Sequence, residues 1–326
     1  MEYVRFGGSN LMVSRLAMGA MGFGSKDWRE WVLDLPSSRK IIKKCLDGGI
    51  NFFDTCDFYS AGKSEEMLHT ALIKSVKREE IVLATKVGNP MGAHPNARGF
   101  SRKHVSAAID ASLKRLGTDY VDIYQTHIWD PSADLEELVD AFTEVVRAGK
   151  ARYIGVTTMP AWTLCKLRSI AKSKHLPLFV SMQCEYNLAQ REAERELLPF
   201  CQSENIAVVP FSPFARGFLC ADRRKSENVT PRTRSDDYTL REYYREGDFK
   251  VLEAISKIAI EHDLTPAQVA LVWVLKQPLV TAPIFGATIP EHVSEALSCL
   301  DIDLDESVFD PVISCYQSRG LGRGGH

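Results

Sequence analysis

The feature that most constrains this chain is its alternation: from Asn51 onward, short β-branched runs and longer amphipathic stretches follow one another at near-regular intervals. INFFDT (50–55), IVLATKV (81–87), YVDIYQTH (120–127), RYIGVTT (152–158), FVSMQ (179–183), AVVPFS (207–212) and APIFGA (282–287) read as strands, and RLAMGA (15–20) makes eight. Runs such as IVLA and AVVP are apolar without alternation, as expected for parallel strands covered on both faces. The stretches between them carry helix punctuation, for example Ser101 ahead of Arg102 and Gly117 after Leu116. Eight such units with short connections predict a closed (β/α)8 TIM barrel. The rival, an open doubly wound sheet, lacks its dinucleotide fingerprint. GAMGFG (19–24) has the wrong glycine spacing, and no helix follows LGRGG (321–325).

Two regions break the repeat. Residues 3–14 predict a β-hairpin that turns at Gly7-Gly8-Ser9-Asn10 and plugs one end of the barrel. Residues 216–248 form a long loop after the seventh strand, read either as a solvated connection or as a lid using Tyr238, Tyr243 and Tyr244. The 326 residues suit one barrel domain, with the glycine-rich stretch 318–326 as a flexible tail.

Composition narrows the function classes. A net charge of −2 gives no electrostatic case for nucleic acid or an anionic membrane, and no apolar run approaches the roughly 18 residues of a membrane span. The start MEYVRFGGSN has no apolar leader core, which predicts a cytoplasmic protein. Eight cysteines without a C-x-x-C pair predict reduced thiols, and the eight histidines include no H-E-x-x-H, so no metal site is expected. The sequence carries no signal for an oligomeric state.

In such a barrel, reacting groups gather where strands end. The second, third and fourth barrel strands end in Asp54 with Tyr59 beyond it, Lys86, and His127. Singly, each has a structural explanation as a turn, surface or core residue; together they converge on one patch. The phenol of Tyr59 needs a nearby cation before its phenolate is accessible, Lys86 can supply that charge, and Asp54 can hold Lys86. His127 can then orient a carbonyl oxygen. The set suits protonation of an oxygen that gains negative charge, with hydride as the attacking group.

These residues resemble the aldo-keto reductase superfamily over about 3–300, in its microbial branch related to potassium-channel β subunits. The resemblance is carried by GGINFFDTCDFYSAGKSEE (48–66), VLATKVG (82–88), LKRLGTDYVDIYQTHIWD (113–130), GKARYIGVTT (149–158), SMQCEYNL (181–188), VVPFSPFARGFL (208–219) and PIFGATIPEHV (283–293). It implies a catalytic tetrad of Asp54, Tyr59, Lys86 and His127, with Tyr59 as general acid, and an extended NADPH cofactor with NADH as the alternative. Thr157, Thr158, Gln183 and Asp54 would face the carboxamide end, Phe211 would stack on the nicotinamide, and Met21 would face the cofactor. Ser212, Pro213, Phe214, Arg216 and Gly217 would cradle the pyrophosphate. Gly286, Ala287, Thr288, His292 and Glu295 would surround the adenosine. No arginine or lysine stands near Ile289, where NADPH-preferring relatives often place one; Arg223 or Arg224 can compensate from the long loop.

The expected substrate is a small-molecule carbonyl compound with an aromatic or apolar face, met by Phe23, Trp28, Phe58 and Trp129. Two other functions fit less of the sequence: an NADPH-binding sensor subunit with little turnover, and a hydrolase or lyase using Cys56 with His127, for which no oxyanion motif is present. Asp57 is expected on the loop or substrate side, and Cys56 as a small packing residue.

Overall fold

The computed structural model describes residues 1–319. Two short antiparallel strands, β1 (Tyr3–Arg5) and β2 (Met12–Ser14), form the predicted hairpin. The eight barrel strands are β3 (Ala17–Gly19), β4 (Phe52–Asp54), β5 (Val82–Val87), β6 (Val121–Thr126), β7 (Ala151–Thr157), β8 (Phe179–Glu185), β9 (Ala207–Phe211) and β10 (Ile284–Phe285). All run parallel, and β10 closes on β3 to complete the barrel.

The first five helices are α1 (Leu35–Asp47), α2 (Lys63–Ala71), α3 (Arg102–Leu116), α4 (Leu135–Arg147) and α5 (Ala161–Ser173). They are followed by α6 (Leu197–Ser203), α7 (Pro231–Ser235), α8 (Asp237–Tyr243), α9 (Glu246–Glu261), α10 (Pro266–Lys276), α11 (Pro290–Ser298) and α12 (Asp310–Cys315). Their limits follow the sequence punctuation. In α3, Ser101 accepts from the His104 N–H and Gly117 ends the helix in the left-handed region at φ 62°. In α10, Thr265 and Gln268 form a reciprocal capping box ahead of Pro266. Helix α4 buries one face, Leu138, Val139, Phe142 and Val145, against the barrel. No helix among the described residues is long and apolar enough to cross a membrane.

The hairpin plugs the barrel as expected. Phe6 is 1% exposed, lies edge-on to Phe52 at 5.7 Å, and joins Val13, Val82, Ile123 and Val209 in a cluster at the N-terminal ends of the strands. The turn has to approach β9 closely. A Cβ on Gly7 would sit 2.5 Å from the Ala207 nitrogen, at φ +56°, so only glycine fits.

Two expectations change. The segment 216–248 is not an open loop: it contains α7 and α8 and packs on the barrel. The start of the supposed tail is fixed: Arg319 is 4% exposed, donates to the Ala189 carbonyl at 2.7 Å and also bonds Glu242 and Asp248, while Ser318 bonds Glu192. The remainder of that tail, 320–326, lies outside the described residues.

Candidate active site

Strand β4 starts in the core with Phe52 and Phe53, and ends in a buried carboxylate. Asp54 Oδ1 meets Lys86 Nζ at 2.5 Å, and the ammonium also donates to the Thr55 carbonyl at 2.8 Å. The other oxygen, Asp54 Oδ2, accepts from Gln183 at 3.0 Å and Gln125 at 3.3 Å. Lys86 is fully buried and Asp54 is 2% exposed. Burial is the largest single influence on Lys86 and lowers its pKa, but Asp54, Tyr59 and Cys56 together outweigh it and raise the pKa above its usual value. The site therefore holds a fixed buried cation. Room for Gln125 and Ser181 inside the barrel depends on Gly155, because a Cβ there would lie 2.2 Å from Ser181 Oγ.

After β4 the chain folds back sharply. Ser60, Ala61 and Gly62 are all left-handed, at φ 50°, 52° and 90°, two of them non-glycine residues held in a costly conformation. Just ahead of this turn Tyr59 lies over Lys86, with Nζ 5.1 Å from the ring centroid, and its hydroxyl is 3.5 Å from His127 Nε2. The four predicted residues are thus together. The electrostatics differ from the sequence expectation in one respect: burial pushes the Tyr59 phenol up to about 12, and Lys86 offsets this only in part. Tyr59 is consequently a protonated donor across the neutral range.

Sequence reasoning missed the other side of His127. Its Nδ1 lies 2.7 Å from Asn89 Nδ2 and 2.9 Å from Cys56 Sγ. Cys56 is accordingly more than packing. Burial, then Asp57, drive its thiol pKa well above normal, so it is no thiolate nucleophile. Asp57 is not on the substrate side: it is 1% exposed and turned inward toward Cys56. The signal in the sequence was the unbroken polar run Asp54-Thr55-Cys56-Asp57, all buried here.

The residues expected around a cofactor line the same end of the barrel. Thr157 and Gln183 are register neighbours on β7 and β8, and Thr158 follows at φ 50°. Thr157 Oγ1 is buried and has no hydrogen-bond partner. Beyond Phe211, which ends β9, Ser212, Ala215, Arg216 and Gly217 are left-handed, making a tight coil around Pro213 and Phe214. Arg216 Nη2 is held by Asp236 at 2.7 Å. Gly286 faces open space, Ala287 is 5% exposed, Thr288 lies 3.3 Å from His292 Nδ1, and Glu295 accepts from Thr265. Met21 is half-buried in the turn after β3.

Of the aromatic residues, Trp28 and Phe58 meet edge to face at 6.1 Å, with Tyr59 6.3 Å from Trp28. Trp129 packs against Trp162. Phe23 is not brought to the mouth; it is 0% exposed in the core. The segment after β9 is pinned through Glu185, which accepts from Tyr238 at 3.0 Å and from Tyr243. Tyr244 packs with Phe218 and Phe249. Arg224 turns away, pairing with Asp222 and stacking on Phe249, whereas Arg223 caps the Gly217 carbonyl. Sequence reasoning also missed Arg29, which stacks on Trp28, and Arg232, which stacks on Trp31 and shares Asp236 with Arg216.

A family model described as "Aldo/keto reductase family" matches residues 15–317. The versiconal hemiacetal acetate reductase of Aspergillus parasiticus is 37% identical, covering 99% of this chain and 99% of its own length. A putative aryl-alcohol dehydrogenase of Saccharomyces cerevisiae, AAD16, is 36% identical over 94% of each chain. An uncharacterized oxidoreductase of Bacillus subtilis, YrpG, is 35% identical over 98% of this chain and 97% of its own. With a closed eight-stranded barrel and a buried Asp–Lys pair beneath a tyrosine and a histidine, the chain belongs to the aldo/keto reductase family.

Proposed function

We propose that the protein reduces an aldehyde or ketone to an alcohol with NADPH, and that Tyr59 is the general acid. The observation that carries this reading is the stack of Tyr59 Oη, 3.5 Å from His127 Nε2, above the buried Lys86–Asp54 pair. Carbonyl reduction is the chemistry of the family, which works with nicotinamide dinucleotides. When bound, the nicotinamide supplies hydride from C4 to the carbonyl carbon.

The remaining work falls to the chain. A phenol held near pKa 12 is a proton donor at neutral pH, and Lys86 stabilises the tyrosinate left after transfer. His127 orients the carbonyl oxygen. Thr157 Oγ1, buried without a partner, and Gln183 beside it suit a carboxamide; the left-handed coil 212–217 with Arg216 suits a pyrophosphate; the open face of Gly286 suits the adenosine end. NADPH is the first choice and NADH the alternative, because Ile289 is 46% exposed with no cation beside it in sequence. Trp28, Phe58 and Trp129 favour an aryl carbonyl compound, in keeping with the name of the yeast relative.

The test is oxidation of NADPH and of NADH with benzaldehyde. Tyr59→Phe is expected to lower kcat by about 10²- to 10⁴-fold, while the NADPH dissociation constant stays within about threefold. Undiminished turnover in that variant would sink the assignment of the acid.

A further inference from the structure

The ring of His127 has a second edge, turned away from the substrate side. Its far side carries the less expected chemistry. His127 Nδ1 faces Cys56 Sγ at 2.9 Å, and Cys56 Sγ faces Asp57 Oδ1 at 3.1 Å. On its near side Nε2 faces Tyr59 Oη at 3.5 Å. A continuous chain thus runs from a buried carboxyl, through a buried thiol and a half-buried imidazole, to the tyrosine.

We propose that Asp57, acting through the Cys56 thiol, sets which ring nitrogen of His127 carries the proton, and thereby whether the imidazole presents an N–H or a lone pair to Tyr59 and the substrate oxygen. This rests on the reading of Tyr59 and His127 given above. Asp57 and Cys56 are positioning residues, since neither touches the reacting atoms.

The proton accounting is simple. With Asp57 protonated, its O–H donates to sulfur, the S–H donates to Nδ1, and the ring proton sits on Nε2, aimed at the carbonyl oxygen. When Asp57 ionises, its proton leaves, the S–H turns to the carboxylate, and sulfur accepts from Nδ1–H. The proton formerly on Nε2 is then on Nδ1, and Nε2 offers only a lone pair. The thiol stays a neutral S–H in both states, as its raised pKa requires. The Asn89 amide nitrogen, 2.7 Å from the same Nδ1, can only donate, so it sides with the low-pH tautomer, and the high-pH tautomer requires the amide to turn and present its Oδ1 to Nδ1–H.

Asp57 is suited to titrate where the enzyme works. Burial, the largest influence, raises its carboxyl to about 7, against the lowering hydrogen bond from Cys56. Glu65 on α2 raises it further, and Arg115 on α3 and the Phe58 N–H lower it. Facing it from β6 is Tyr124, fully buried, and from β5 the Lys86 carbonyl, 3.5 Å from its backbone N–H. Asp57 Oδ2 is buried with no hydrogen-bond partner, so on ionisation the compensating donors, chiefly the Cys56 thiol, reach the other oxygen only.

Two measurements on the full chain test this. ¹⁵N-histidine spectra report the His127 tautomer without any turnover, and kcat for benzaldehyde reduction reports the consequence. From about pH 5.5 to about pH 8.5, wild type should pass from an unprotonated to a protonated Nδ1, and kcat should fall roughly tenfold or more. Asp57→Asn should keep the low-pH tautomer throughout, with kcat changing less than about twofold. Cys56→Ala should lose the pH dependence of the tautomer, and Cys56→Ser, which puts a hydroxyl in the place of the thiol, should restore it. The serine and alanine pair decides the matter if Asp57→Asn does not fold. A wild-type His127 with no tautomer change, an Asp57→Asn profile like wild type, or one merely displaced to lower pH would overturn the proposal. Failure of Tyr59→Phe to lose activity would overturn the functional reading instead, leaving the spectra to judge the tautomer.

Discussion

At the scale of single residues, the sequence exposed the polar groups that interrupt apolar strands. Asp54, Lys86 and His127 each stand where a strand pattern stops, and Tyr59 within a turn's reach of one of them. Cys56 and Asp57 were illegible for a physical reason: strand periodicity tells which face a side chain takes only up to Asp54, where β4 ends, and the irregular stretch Thr55 to Phe58 beyond it has no period. The inward placement of Asp57 has an energetic consequence of its own. A carboxyl whose folded pKa is raised binds its proton more tightly in the folded state, so the stability it confers is fully present below the unfolded pKa. That stability is lost as pH rises through about 7. Asp57→Asn is therefore expected to be more stable than wild type at high pH. The advantage should grow by about 1.4 kcal/mol per pH unit between about pH 5 and about pH 7 and level off above it. Urea unfolding at several pH values measures this; a difference independent of pH would contradict the burial assigned to the Asp57 charge.

At the scale of elements, the strands and the main helices were readable because caps and periodicity agree, whereas α7 and α8 were not. Their sequence is short, charged and locally neutral, and what orders it is remote: Glu185 at the end of β8, and Arg319 near the end of the described chain. The anchor nearest the left-handed coil 212–217 is Asp236, 2% exposed, between Arg216 at 2.7 Å and Arg232 at 3.0 Å. Burial, and after it Arg216, lower the Arg232 pKa to about 10, and Asp236 offsets this only in part. Asp236→Asn removes that offset, and breaking such a buried pair costs on the order of 3–5 kcal/mol. The expected outcome is faster proteolysis within 229–243 and roughly tenfold weaker NADPH binding by fluorescence titration. Tighter binding would mean instead that Asp236 competes with the pyrophosphate for Arg216.

At the scale of the whole molecule, the barrel separates stability from chemistry along its axis. The N-terminal ends of the strands are sealed by the hairpin, with Phe6 on Phe52 and Gly8 donating to the Asn205 carbonyl at 2.7 Å. The C-terminal ends carry Asp54, Tyr59, Lys86 and His127. Closure itself was legible from eight apolar runs, but that Phe6 would be the central residue of the plug was not, since a lone phenylalanine before Gly7-Gly8 has no periodic partner. Phe6→Ala is expected to lose about 3–5 kcal/mol through burial and cavity terms, lowering the thermal midpoint by several degrees. Because the strands between are rigid and hydrogen-bonded around a closed ring, kcat for benzaldehyde at 25 °C should stay within about twofold of wild type. Thermal unfolding and steady-state rates on the same preparation separate the two. A loss of kcat without loss of stability would show that the plugged end reaches the reacting end, and that the axial division does not hold.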